Sequence, residues 1–74
     1  MTPNRKLYYH WKDLEAKSGA TLLAVHSRYN AAGEAGKLAM FDELVEAEIE
    51  HSLNANKVEL YKQKVNLFEE EKII

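Results

Sequence analysis

The side chains able to do chemistry in this 74-residue chain are three histidines, three serines and a run of carboxylates. His10, His26 and His51 are far apart, with no i, i+4 pair, and there is no Cys, so a zinc-type ligand set is not in place. Ser18, Ser27 and Ser52 lack the strand–turn–helix setting that exposes a nucleophile. Asp42, Glu43, Glu46, Glu48 and Glu50 invite an acid/base reading, yet at helical spacing they form a solvated face beside an apolar one. Gly33-Glu34-Ala35-Gly36-Lys37 has a phosphate-loop flavour and fails it. That loop needs four residues between its glycines, a Ser or Thr after the Lys, and a preceding strand. A small helical chain also leaves little room for a concave site. No enzyme, no cofactor and no metal are expected, and the histidines read as surface or nucleic-acid-facing groups.

Size and charge narrow the remaining classes. A chain this short hides only about 60–65% of its unfolded surface, so a single domain over 1–74 would gain from a second subunit. The absence of Cys suits a reducing compartment. No apolar run approaches the roughly 20 residues that span a bilayer, and the first residues, MTPNRKLYYHW, lack the apolar core of a secretory signal. A cytoplasmic location without membrane contact is therefore expected. The net charge of −2 conceals an asymmetry: residues 1–40 hold six Lys or Arg against three Asp or Glu, and residues 41–74 hold four against nine. Such a split suggests a basic face for one partner and an acidic part kept clear of it.

The elements that would position these groups are helical throughout. Thr2-Pro3 is a start signal, a capping hydroxyl followed by a proline where its missing N–H costs nothing. Leu7, Trp11 and Leu14 then make one apolar stripe along a first helix over about 3–17, with Trp11 as core anchor. Tyr8 and Tyr9 cannot both face inward, so one is partly exposed. Ser18-Gly19 supplies a stop, and Thr21 can cap a second helix over about 21–32 carrying Leu22, Val25 and Tyr29. A glycine-containing turn over 33–37 leads to a third helix over about 38–53, where Leu38, Phe41, Leu44, Val45, Ile49 and Leu53 share one broad arc. Asn54-Ala55-Asn56 is a candidate break before a fourth helix over about 57–71. Because Asn disfavours helix interiors only mildly, one long helix over 38–71 is the alternative.

The last stretch is apolar on two sides. Val58, Tyr61, Val65 and Phe68 line one face, and Leu60 and Leu67 lie almost opposite. That pattern belongs to a helix buried between elements or shared with another chain. Leu53, Leu60, Leu67 and Ile74 recur every seven residues, but polar companions such as Asn56, Gln63 and Glu70 argue against a true zipper. The expected architecture is an all-α bundle of three or four helices, dimeric through Leu53, Leu60 and Leu67. Residues 1–37 form its basic part and residues 38–74 its acidic packing part.

Helix, glycine turn and helix is also the layout of a helix-turn-helix. Asp13-Leu14, Ala16, Ser18-Gly19, Ala20-Thr21, Val25, Arg28 and Asn30 resemble the helix-turn-helix of lactose-repressor-type regulators and the short modules of bacteriophage and mobile-element regulators. The resemblance covers about twenty residues and implies a recognition helix near 21–30 whose partner is double-stranded DNA. Thr21, Leu22, His26, Ser27 and Asn30 would then face DNA, Val25 would pack inward, and Lys12, Lys17, Arg28 and Lys37 would contact phosphates. A small DNA-binding regulator of transcription or of a mobile element, working as a homodimer, is the function this implies. The competing reading is a plain helical hairpin with Leu22, Val25 and Tyr29 all in the core. It would act as an inhibitor, antitoxin or adaptor that meets a larger protein partner through the acidic 41–50 face.

Overall fold

The computed structural model describes residues 2–69, 72 and 73, and folds them into two long helices. Helix α1 runs Pro3–Ala31 and α2 runs Glu34–Phe68, folded back on each other into a hairpin of 53 × 17 × 14 Å. The expected three or four helices are thus two. The breaks at Ser18-Gly19 and at Asn54-Ala55-Asn56 do not form, and the turn over 33–37 is shorter, since Glu34 is already helical. The second half follows the single-helix alternative. Residues Glu70, Glu71 and Ile74, to which the last helix and the seven-residue repeat were extended, lie outside the described residues.

Helix α1 begins as its sequence dictates, with the Thr2 hydroxyl accepting from the Arg5 N–H at 3.3 Å and Pro3 in the first turn. The turn is two residues long. Ala32 closes α1 by donating its N–H to the Tyr29 carbonyl at 3.2 Å, and Gly33 opens α2. The approach at this corner is close, because a Cβ on Gly36 would stand 2.9 Å from the Ala32 Cβ. At the far end, Thr2 and Arg5 both reach Glu69, the Arg5 Nε lying 3.4 Å from its carboxylate.

The helices meet along one seam. In α1 the inward positions are Tyr8, Trp11, Glu15, Ser18, Leu22, Val25 and Tyr29. In α2 they are Leu44, Ala47, His51, Asn54, Val58, Tyr61 and Val65. Each set alternates steps of three and four, the spacing of a two-stranded antiparallel coiled coil. Tyr8 is buried and Tyr9 exposed, as adjacent positions require, and Trp11 is half-buried beneath the Lys57 ammonium. Toward the turn the seam is apolar, with Val25, Leu44 and Ala47 packed together and flanked by Leu22 and Tyr29.

Midway it turns polar. Asn54 is buried and donates its amide to the Leu14 carbonyl at 3.3 Å and to the Ser18 hydroxyl at 3.1 Å. The same hydroxyl lies 2.9 Å from His51 Nδ1 and 3.1 Å from the Glu15 carbonyl. Among the described residues no buried side-chain polar atom lacks a partner. Gly19 sits directly against this layer, where a Cβ would stand 3.2 Å from His51 Cε1. Its role is close approach of the helices, and no glycine here has a positive φ. Continuity through Gly19 costs about 1 kcal/mol against Ala, and the Asn positions cost less. Cross-helix packing outweighs both.

Two substitutions test this layer by urea denaturation. Gly19→Leu forces its side chain into His51 and should lower stability by about 1–3 kcal/mol. Asn54→Ala, which removes both cross-helix donors, should cost a similar amount, about 1–3 kcal/mol. Asn56→Ala on the exposed side should be neutral or slightly stabilising.

Candidate interaction surface

The residues expected to face DNA do not share a face. All but Lys37 lie on α1, which is unbroken from Pro3 to Ala31, so no separate recognition helix exists over 21–30. At 100° per residue, Lys12, His26 and Asn30 fall along one edge of the seam, and Lys17, Thr21 and Arg28 fall along the opposite edge. Leu22 turns into the hairpin against Val25, and Ser27 is exposed on the outer side of α1. Thr21 caps nothing; its hydroxyl donates to the Lys17 carbonyl at 3.1 Å within the same helix.

Most of the cations in this set have partners inside the chain. Lys17 Nζ lies 2.9 Å from Asp13, Lys12 Nζ 3.8 Å from Glu15, and Arg28 Nη2 2.7 Å from Glu43 across the hairpin. His26 Nε2 lies 3.3 Å from Glu48, and Lys37 rests over the Tyr29 ring. Lys12 and Lys17 are thus paired within α1, and Arg28 and His26 meet acids of the second half across the hairpin. Among the described residues no group of His, Asp or Glu is placed to hold a metal, and no helix is long and apolar enough to cross a membrane.

A different surface stands out. Leu38 is 81% exposed, Phe41 53%, Ile49 63%, Leu53 52%, Leu60 40% and Leu67 76%. With the half-buried Val45 they occupy one arc of about 120° on α2, diametrically opposite Ala47, Asn54, Val58 and Val65. The stripe runs about 45 Å along the helix. Two shallow grooves open on it, one beside Leu38 and Phe41 at the hairpin corner, the other beside Ile49, Ser52, Leu53 and Asn56.

Leu53, Leu60 and Leu67, singled out as contact residues, all lie on this stripe. Leu38, Phe41, Val45 and Ile49, which the sequence places on one broad arc with Leu44 and Leu53, belong to this stripe as well. Only Leu44 of that group is fully buried, while Phe68, grouped with Val58 and Val65, is 75% exposed. Following the seam through Leu44, Ala47, His51 and Asn54 would have separated the two faces. Of the acidic 41–50 residues, Glu43 and Glu48 turn back to α1, leaving Asp42, Glu46 and Glu50 along one edge of the stripe.

Comparison with known proteins adds no relative: no family model matches the chain, and no curated protein or solved structure matches it.

The edge ion pairs are solvent-exposed and worth little individually. Replacing Lys17 and Arg28 together by Ala should change unfolding stability by less than about 1 kcal/mol, measured by chemical denaturation in low salt.

Proposed function

We propose that this chain is a small protein-interaction module, a helical hairpin that docks through the outer face of α2. The observation that carries the reading is the apolar stripe from Leu38 to Leu67, set opposite the core, with α1 on the other side of α2. Single exposed leucines are ordinary on a protein surface, but seven large apolar side chains recurring along one face of a helix, dense from Leu38 to Leu53 and spaced by Asn56, Glu59 and Gln63 beyond it, mark a contact site. In this division of labour α1 is the brace that holds α2 straight, and α2 meets the partner. The partner is helical and apolar along its contacting face, because a stripe this narrow and long matches a helix laid alongside it. A DNA-binding regulator draws no support from a helix that continues unbroken through Gly19, nor from cations paired along two opposite edges.

A photo-crosslinking residue placed at Leu60 in living cells should trap protein adducts, and the same residue at Ser27 should trap few. Binding to fragmented genomic DNA should stay weak at low salt and be indifferent to Lys17→Ala with Arg28→Ala. No adduct at Leu60, together with a salt-sensitive DNA complex that those substitutions weaken, would overturn the reading.

A further inference from the structure

We infer that the partner on the outer face of α2 is a second copy of this chain, laid antiparallel about a two-fold axis near Leu53. The inference rests on the docking reading above and adds the identity of the occupant. Its basis is the match between the two ends of the stripe about its midpoint, between which Phe41, Ile49 and Leu53 come opposite Lys64, Asn56 and Ser52 of the copy. An axis there sets Leu38 opposite Leu67 of the second copy and Val45 opposite Leu60, with Ile49 and Leu53 filling the centre.

The charges follow the same symmetry. In an antiparallel pair each edge of α2 meets the same edge of its copy, read in reverse. One edge carries Asp42, Glu46 and Glu50 in its first half and Lys57 and Lys64 in its second. Reversal therefore brings Asp42 toward Lys64 of the second copy and Glu46 toward Lys57, and the axis repeats both pairs. Among the described residues none of these five makes an ion pair within its own chain; Lys57 lies over the Trp11 ring and Lys64 over the Tyr61 ring. A parallel pairing would set acid against acid along the first half. The opposite edge is less favourable, since Glu59 approaches Glu48 of the copy, and Glu48 is drawn back toward His26 on its own α1.

With the second copy in place, α2 becomes the inner helix of a four-helix layer and its two apolar faces are both covered.

Sedimentation equilibrium of the full chain at micromolar concentration should give a mass twice the 8.5 kDa of one copy. Ile49→Glu with Leu53→Glu should give a monomer that keeps its helical circular dichroism, because both side chains lie outside the seam. Lys57→Glu with Lys64→Glu should weaken association about tenfold at low salt, and adding Asp42→Lys with Glu46→Lys should restore it. Glu59→Lys should tighten it. For orientation, Leu38→Cys mixed with Leu67→Cys should form a disulfide heterodimer on oxidation, and Leu38→Cys alone should not. A mass of one copy up to millimolar concentration overturns the inference, as does crosslinking of Leu38→Cys to itself. If the chain is a monomer while a crosslinker at Leu60 traps a different protein, the docking reading survives and the self-association fails.

Discussion

The buried amide of Asn54 fixes this molecule. It donates to the Leu14 carbonyl and to the Ser18 hydroxyl, and so ties a position in the middle of α2 to one turn in the middle of α1. Apolar contacts between two helices tolerate slippage by a turn, because one Val or Leu resembles the next. A polar layer does not, since any shift leaves the amide buried without partners, at a cost of about 1–3 kcal/mol. His51 and Gly19 complete the layer from opposite sides, the imidazole filling the space that a missing Cβ leaves. From this register follows which α2 residues turn inward, and therefore which are left facing out.

What faces out is as apolar as what faces in. Helix α1 has one apolar side and behaves as a surface helix; α2 has two, and behaves as an interior one. Among the described residues α1 is the one helix that packs on α2, and it covers one side of it. The shape carries the same imprint. A radius of gyration of 16.1 Å compares with about 11 Å for a compact domain of this length, the mark of a rod with little interior.

Much of the local chemistry could be read from the sequence, and the long-range pairing could not. The start at Thr2-Pro3, the division of Tyr8 from Tyr9, and the two apolar sides around Val58 and Leu60 depend only on neighbours within a few residues. Ser18-Gly19 and Asn54 carry turn and break signals just as plainly, and there the local signal loses. Each looks like a helix stop because its partner lies 32 or more residues away, in the other helix. A serine, a glycine and an asparagine are what a close polar crossing needs, and they are also what a turn needs. The helix-turn-helix resemblance grew from that coincidence of residue types. Glu15 and His51 hid the seam further by filling inward positions with polar side chains, so that the apolar subset alone suggested shorter, misaligned helices. For the same reason the apolar pattern alone merges Leu38, Phe41 and Ile49 with the buried Leu44 into one arc.

The charge asymmetry also has an intramolecular explanation. A basic first half beside an acidic second half suggests an anionic partner while the chain is imagined as extended, but the hairpin folds one half onto the other. Arg5 then meets Glu69, Arg28 meets Glu43 and His26 meets Glu48, so opposite charges line both edges of the seam. Each pair is weak in water, and the two-residue turn, not the charges, makes the arrangement antiparallel. The acids and lysines without such partners are then the informative ones. On one edge of the outer stripe of α2 they run from the acids Asp42, Glu46 and Glu50 to the lysines Lys57 and Lys64, a pattern that a reversed copy would complement, while Glu59 on the other edge does not follow it.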